Sequence, residues 1–273
     1  MVSFRDFITS FRKLDLRQVP VIAHASLSAF GYVQGGAETI VGALVASFSG
    51  VIMPTFTYKT MITPDGGPLD NGISYGTGQH SNKQAEFYRP SMPADPSIGI
   101  VPETLRHHPG AIRSNHPIYS FSGVNADFAV KSQTLQNPFA PIEALAASAG
   151  WVLLLGVGHT SNTSIHFAEQ VVGRRQFIRW ALTPQGVIPC PRWPGCSYGF
   201  NQVIPRLKGL TKRVHIGRAM VQACPLVGLV ETVGDMISED PLALLCNNIS
   251  CERCNEIRRD VRSRHDSDKK SIF

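Results

Sequence analysis

The sequence predicts an α/β protein with a mixed, mostly parallel central sheet flanked by helices. Trp151–Leu155 is an unbroken apolar run that follows a glycine, a pattern typical of a strand buried on both faces. A turn of small residues comes next, and residues 164–170 then have helical character. The same order of strand, turn and helix occurs near the N-terminus. A short apolar run at residues 19–23 precedes a helical pattern at residues 35–48, which begins at a glycine pair. In such folds ligands bind beyond the carboxyl ends of the strands.

The other elements follow from local patterns. Residues 4–14 place apolar side chains at helical spacing, with Asp6 and Arg12 outside the apolar face, which predicts an amphipathic first helix. Further elements are predicted, in chain order, as a strand at 50–57, a short helix at 98–107, helical character at 126–133 and a helix at PIEALAAS, residues 141–148.

Composition limits the class of protein. The chain has 273 residues, of which 43% are hydrophobic and 17% charged, as expected of an ordinary globular protein. No apolar run of about eighteen residues occurs and the first fifteen residues carry charges throughout, so we expect no membrane span, no signal peptide and a cytoplasmic location. The net charge of +6 is spread along the chain without a nucleic-acid motif, so no nucleic-acid partner is expected. Residues 258–273 are predicted to be a solvated basic tail.

Residues 58–97 form a long polar stretch rich in Gly, Pro, Asn and Ser. Loops of this length inside a domain are usually functional or disordered. Asp65, Asp70 and Glu86 concentrate there although the chain as a whole is basic. The stretch is therefore interpreted as a substrate-side lid or insertion that receives a cationic substrate, and scattered solubilising residues are the alternative of equal weight.

His166 and Glu169 lie three residues apart in the predicted helix and so share one of its faces. This spacing lets the carboxylate orient the imidazole, which makes His166 a candidate general base. The alternative is that both residues cap and solvate a surface helix. The preceding turn, residues 158–163 with Thr160 among them, offers hydroxyl and N–H donors.

The segment after the 98–107 helix carries further candidates for ligand contacts. Arg113 can hold a phosphate or a carboxylate, and Ser114 can donate a hydrogen bond. His116 precedes a proline that restricts the turn. Each of these features is common when taken alone.

Four motifs taken together resemble one family. HASLSAFGYVQGGAETIVGAL, MPTFTY, PETLRHHPGAIRSNHPIYSFSG and GWVLLLGVGHTSNTSIHFAE, in this order and at these separations, resemble the aminoglycoside 3-N-acetyltransferases. The resemblance extends from about residue 21 to residue 254 and is greatest to the branch that also has CPRWPGCSYGF and a cysteine-bearing C-terminus.

The resemblance implies the antibiotic N-acetyltransferase fold, which differs from the small GNAT fold, in a single catalytic domain spanning 1–273. It implies acetyl-CoA as cosubstrate, the 3-amino group of a 2-deoxystreptamine aminoglycoside as acceptor, and therefore a role in antibiotic resistance. His166 matches the catalytic histidine of the family, with direct acetyl transfer as the expected reaction. The cofactor-binding residues implied are His24, Ala25, Ser26, Leu27, Ser28, Gly31, Val33, Arg113, Ser114 and Thr160.

The acceptor is less closely defined. The region WPGCSYGFNQV lacks the acidic segment that many members have after the catalytic helix, so Glu169 and Glu103 both stay open as partners of His166. Acceptor contacts are expected from Tyr58, Asp65, Asp70, Glu86, Glu103 and His116. Another amine, such as an amino sugar of a different antibiotic or a biosynthetic precursor, is the runner-up acceptor. A non-catalytic CoA-binding or amine-binding protein is the distant alternative, and both monomer and homodimer are compatible with the sequence.

The cysteines raise the question of a metal. Cys246, Cys251 and Cys254 lie in a short polar stretch, the last two as C-x-x-C, while Cys190 and Cys196 flank a W-P-G turn. One C-x-x-C can supply two zinc ligands, and paired C-x-x-C motifs would indicate zinc strongly. Because one such motif is present, reduced thiols are the preferred interpretation, with structural zinc at Cys246, Cys251 and Cys254 as the alternative and no catalytic metal expected.

Overall fold

A computed structural model describes residues 1–16 and 18–270. The strands are β1 (Pro20–Ala25), β2 (Gly50–Pro54), β3 (Met61–Ile62), β4 (Ala111–Arg113), β5 (Phe121–Val124), β6 (Trp151–Leu155), β7 (Phe177–Thr183), β8 (Gly186–Trp193), β9 (Lys212–Ile216) and β10 (Ala219–Pro225). The helices are α1 (Phe4–Lys13), α2 (Gly36–Ser47), α3 (Ile100–Arg106), α4 (Asp127–Val130), α5 (Ala140–Ala147), α6 (Thr163–Val171), α7 (Leu226–Glu239) and α8 (Glu252–Lys270). Each element predicted from the sequence is present, although the helical region at 126–133 is reduced to the short α4.

Within the described part of the chain, the central sheet has seven strands in the order β4-β5-β2-β1-β6-β10-β9. The α/β class with a mixed sheet is thus confirmed. Parallel pairing is confined to β2, β1 and β6, whereas β4, β5, β9 and β10 pair antiparallel, so "mostly parallel" describes only the centre of the sheet. An apolar run shows that a strand is buried but does not show the direction of its neighbour, and β9 and β10 are joined by a tight turn at Gly217, which favours an antiparallel pair.

Helices cover both faces of this sheet. Successive strand residues point to opposite faces, so Val21 and Ala23 pack in one core with α1, α2 and α3, whereas Ile22 packs in the other. The second core also receives α5, α6 and α7 through side chains such as Ile165 and Leu229. The result is a three-layer arrangement that presents the carboxyl ends of β1, β2 and β6 side by side.

A second, three-stranded sheet, β3-β7-β8, is separate from the central sheet, and its Phe177 and Ala181 pack in the same core as Ile22. The 58–97 segment is fastened to it, because Asn71 exchanges two hydrogen bonds with Ile178 and the Tyr88 N–H donates to the carbonyl of Leu182. Most of the segment is irregular chain interrupted by short 3-10 turns.

The predicted basic tail, 258–273, begins inside α8, and the side chains of residues 258–264 are half-buried or exposed. Residues 271–273 of that prediction lie outside the described residues. Among the residues that the structure describes, no helix combines the length and apolar character needed to span a bilayer.

Candidate active site

A cleft of about 840 Å³ opens where the three parallel strands end. Its walls come from the turns after β1 and β6 and from the chain that follows β2. This is the position at which open α/β sheets bind ligands, since neighbouring parallel strands deliver their following turns to one edge. The cleft brings together these residues expected from the sequence: His24, Ala25, Ser26, Leu27, Ser28, Tyr58, Thr160 and His166.

Gly156 allows the turns after β6 and β1 to approach closely. Its φ is +70°, a left-handed conformation that favours glycine, and a Cβ atom at this position would lie 2.5 Å from the Cβ atom of Ala29. The Ser26 N–H also donates to the carbonyl of Leu155 at 3.0 Å, which ties the two turns together. The cleft therefore has a rigid base between β1 and β6.

His166 and Glu169 form a hydrogen-bonded pair on α6. Nδ1 of His166 lies 2.9 Å from Oε2 of Glu169, whose side chain is 3% exposed. The other oxygen, Oε1, accepts a hydrogen bond of 2.8 Å from Nη1 of Arg174, also 3% exposed. Because the Glu169 carboxylate is held from both sides, it fixes the imidazole ring.

Two aromatic rings flank the imidazole of His166. Its ring contacts Phe200 edge-on at 4.6 Å between centroids and stacks on Phe139 at 6.4 Å. An ionised carboxylate only accepts hydrogen bonds, so Nδ1 carries the proton and Nε2 keeps a free electron pair when the ring is neutral. His166 lines the cleft and also a smaller neighbouring cavity of about 320 Å³. It can thus take a proton from a bound molecule.

Two other histidines near the cleft are poor bases. Burial lowers the pKa of His24 to about 3, with the nearby His159 adding to the shift, and burial lowers the pKa of His159 itself to about 4. Both are neutral near pH 7 and accept a proton only at a high cost. His24 lines the cleft, and its Nε2 is buried without a hydrogen-bond partner among the described residues.

Buried neutral histidines make the folding stability depend on pH. His24, His159 and His116, the last with its pKa lowered by burial to about 4, take up protons in the unfolded chain below about pH 6.5 but not in the folded chain. The three neutral histidines contribute fully to the free energy of unfolding above the pKa of histidine in the unfolded chain, about 6.5. As the pH falls below that value, the contribution decreases by up to about 1.4 kcal/mol per pH unit for each histidine. Urea unfolding between pH 7.5 and 5 should show this slope, and His116→Gln should reduce it by about a third. A free energy of unfolding that stays constant over this range would contradict the prediction.

Several residues expected at the site from the sequence are engaged elsewhere. Arg113 donates hydrogen bonds to the carbonyls of Thr55, Pro90 and Met92 and to the Ser120 hydroxyl, so its guanidinium stabilises loops. The Ser114 hydroxyl and the Phe121 backbone bond to each other.

Gly31 and Val33 follow the Ser28 turn but do not line the cleft.

The acidic and imidazole groups expected to contact the acceptor are likewise outside the cleft lining. Glu103 pairs with Arg106 at 2.6 Å and accepts from the Ala94 N–H, which removes it as a partner of His166. Glu86 pairs with Lys59 at 3.2 Å. Asp65 and Asp70 are exposed on the 58–97 segment, and His116 is buried with Nδ1 accepting from two backbone N–H groups.

Other site residues could not be identified from the sequence. Arg174 lies beyond the end of α6, and helical spacing does not connect it with Glu169. Tyr119 and Trp193 stack at 4.6 Å and line the smaller cavity, where Arg253 from α8 is also found. The sequence shows aromatic residues in MPTFTY and PIYSF, but it does not show which of their side chains line a cavity.

Comparisons with known proteins agree with this architecture. The family model described as aminoglycoside 3-N-acetyltransferase matches residues 22–238. Aminoglycoside N(3)-acetyltransferase VII of Streptomyces paromomycinus is 36% identical over 160 residues, which are 55% of this chain and 53% of the relative. The chain spans about half the length of the curated relatives it matches.

Solved structures share the fold at low sequence identity. The apoenzyme of aminoglycoside acetyltransferase AAC(3)-IVa superposes with a TM-score of 0.75 and 23% identity, covering 94% of this chain and 97% of that chain. AAC-IIIb in its binary complex with CoASH has a TM-score of 0.69 and 19% identity, covering 87% and 96%. Fold and cleft define an α/β protein of the antibiotic N-acetyltransferase type rather than the small GNAT type. With the family model matching most of its length, the chain belongs to the aminoglycoside 3-N-acetyltransferase family.

Proposed function

We propose that this protein transfers the acetyl group of acetyl-CoA to the 3-amino group of a 2-deoxystreptamine aminoglycoside. The observation that carries the proposal is the His166 imidazole in the cleft, with Nδ1 bound to the buried carboxylate of Glu169 at 2.9 Å. Relatives named as aminoglycoside N(3)-acetyltransferases support the same reaction, and one structural neighbour, AAC-IIIb, is a binary complex with CoASH. The reaction would take place in the cytoplasm, and antibiotic resistance is one physiological outcome of it.

Proton removal is the first task of the site. An aminoglycoside amine is protonated near neutral pH, and nitrogen cannot attack a thioester until that proton has left. Nε2 of His166 accepts the proton, and Glu169 holds the resulting imidazolium in place. The amine then forms the new C–N bond, the C–S bond breaks, and the CoA sulfur leaves as a thiol after receiving a proton from the imidazolium. The second proton, which the nitrogen gives up as it becomes an amide, passes to the regenerated imidazole and from there to solvent.

The turn between β6 and α6 is placed to stabilise the intermediate. Attack on the thioester produces an oxyanion, which is best met by donors that are already oriented. Thr160, Ser161 and Thr163 line the cleft within two turns of His166, and the first N–H groups of α6 point out of the helix at this end. Asn162 holds the turn in shape, because its side chain accepts from the Ser164 N–H at 3.1 Å.

The β1 side of the cleft suits the pantetheine arm of acetyl-CoA. The Ser26 and Ser28 hydroxyls lie 3.2 Å apart at this wall, which His24 also lines. The cleft volume of about 840 Å³ lies within the usual range of cofactor sites. The side chain of Arg218 lies against Gly31, which places a cation beyond the wall for the phosphates of the coenzyme.

Direct transfer fits the lining better than a covalent enzyme intermediate. None of the described residues that line the two cavities is a cysteine. The histidine and the hydroxyl groups there can support attack of the amine on the thioester within a ternary complex.

One observation favours a second candidate acceptor. Among the described lining residues of the two cavities none is Asp or Glu, while Arg253 contributes a positive charge to the smaller one. A polycation is normally held by several carboxylates, so an amine with fewer positive charges would bind with a smaller electrostatic penalty. A biosynthetic amino sugar or an antibiotic precursor has this character, and the aromatic wall of Tyr58, Tyr119 and Trp193 can pack against a sugar ring.

The test is thiol release from acetyl-CoA with a panel of amines. The panel contains aminoglycosides with three to five amines and amino sugars with one or two, and mass spectrometry locates the acetyl group. Acetylation at the 3-amine of aminoglycosides, with kcat/KM above about 10⁴ M⁻¹s⁻¹, would support the first acceptor. A kcat/KM that rises about tenfold or more for amines of low charge would support the second. Absence of thiol release across the panel, with acetyl-CoA bound, would contradict both.

A further inference from the structure

We propose that Cys196, Cys246, Cys251 and Cys254 bind one zinc ion as a structural four-thiolate site. Their four sulfur atoms all lie within 4.8 Å of one another. Sulfur atoms around tetrahedral zinc, with Zn–S bonds of about 2.3 Å, are about 3.8 Å apart, so the cluster needs only small side-chain adjustments. In the described part of the chain, no other group of three or more potential metal ligands converges in this way.

The geometry separates metal binding from disulfide formation. The Sγ atoms of Cys246 and Cys254 are 3.5 Å apart, whereas a disulfide bond is about 2.05 Å long. All six cysteines are free thiols. Four thiols that converge on one point match the number of ligands that tetrahedral zinc takes.

Two segments that are distant in sequence converge on the site. Cys196 comes from the loop after β8, whereas Cys246 and the C-x-x-C pair come from the short stretch that leads from α7 into the first turn of α8. Three of the cysteines are buried and Cys251 is half-buried. All four coordination positions would be filled by protein, which is the property of a structural zinc site rather than a catalytic one.

The surrounding hydrogen bonds would support a thiolate cluster. The Tyr198 N–H donates to Sγ of Cys196 at 3.5 Å. Arg258 donates to the carbonyl of Cys246, and Arg253 donates to the carbonyl of Gly195 at 2.7 Å. Outer groups of this kind orient metal ligands, and the two guanidinium groups offset the negative charge that four thiolates around Zn²⁺ would carry.

The site would join α8 to the candidate active site. Ser197 and Tyr198 directly follow Cys196 and line the cleft, and Arg253 lies between the two cysteines of the C-x-x-C pair and lines the smaller cavity. Zinc would therefore hold one wall of both cavities in place, and its binding at Cys196 would keep that thiol out of acyl-transfer chemistry.

Metal content of the full chain tests the proposal. The protein, purified under reducing conditions without chelators, should contain about one equivalent of zinc by elemental mass spectrometry. Cys196→Ser and Cys251→Ser should lose most of it, whereas Cys251→His should keep it because imidazole replaces one thiolate in many structural sites. The matched controls are Cys190→Ser and Cys224→Ser, since both thiols are buried but lie outside the cluster.

A second measurement does not depend on the folding of variants. Titration of the folded wild-type protein with a mercurial reagent should release zinc to a colorimetric indicator, and replacement with Co²⁺ should produce the thiolate charge-transfer and visible bands of a tetrahedral site. The proposal is overturned if the wild-type chain holds under a tenth of an equivalent after incubation with excess Zn²⁺, if iron occupies the site instead, or if Cys224→Ser loses as much metal as Cys196→Ser.

Discussion

Replacing His166 with alanine is expected to lower kcat by about 10²- to 10⁴-fold, because the acceptor amine would lose the group that removes its proton. The side chain that disappears is the base proposed for the reaction, and Glu169 cannot replace it from its buried position behind the ring. The KM for acetyl-CoA should change little, since the proposed pantetheine wall at Ser26 and Ser28 lies on another strand end. Steady-state thiol release and isothermal titration with CoA provide the two measurements.

The controls separate catalysis from structure. His107→Ala removes an exposed histidine after α3 and should leave kcat unchanged. Added imidazole should restore part of the activity of His166→Ala, because the deletion leaves a space beside Phe200 that is open to the cleft. A variant that keeps near-full turnover with the coenzyme bound would contradict the role of His166 as the base.

The paired side chains of α6 were predictable because helical spacing is a local property. Residues three apart lie on one face of a helix, so His166 and Glu169 could be expected to meet before any coordinates were known. Arg174 shows where this reasoning ends. Arg174 lies past the last residue of α6, so the direction of its side chain depends on the loop that follows the helix. In that loop the Arg174 N–H donates to the carbonyl of Glu169. No periodicity connects the two positions.

The centre of the fold was predictable for a similar reason. The apolar run at Trp151–Leu155 and the pattern at residues 19–23 indicate buried strands, and the sheet places β6 and β1 next to each other. The direction of the outer strands depends on pairing between distant segments, such as β2 with β5 and β6 with β10, which side-chain patterns do not encode. The sequence therefore predicts a mixed sheet but does not assign which of its strands are antiparallel.

Charge alone does not show which side chains reach a site. Asp65, Asp70 and Glu86 belong to a segment interpreted as receiving a cationic substrate, but a loop can present acids to solvent as easily as to a cleft. The cysteine cluster is only partly visible in the sequence. Cys246, Cys251 and Cys254 stand close together in the sequence, whereas Cys196 is fifty residues before Cys246 and joins them only after folding.

Replacing Arg174 with methionine is expected to lower the free energy of unfolding by about 3–5 kcal/mol. The Arg174 and Glu169 side chains are each 3% exposed and meet at 2.8 Å, so the variant leaves a carboxylate in the interior with only His166 beside it. For a chain of this size the loss corresponds to a fall in Tm of roughly 6–20 °C. Urea unfolding and calorimetry measure the two quantities, and kcat should fall as well, because the carboxylate that orients His166 is no longer fixed.

A double variant distinguishes the loss of a charge pair from a loss of packing. Glu169→Gln combined with Arg174→Met removes both charges, so it should recover part of the stability, with an interaction energy of about 2–3 kcal/mol between the two sites. Its kcat should stay low, since a neutral amide stabilises the imidazolium less than a carboxylate does. Arg206→Met, which breaks the exposed pair with Glu239, should cost under about 1 kcal/mol. If Arg174→Met cost no more than this control, Glu169 would already be neutral or solvated in the folded protein, and the buried ion pair could not be what positions His166.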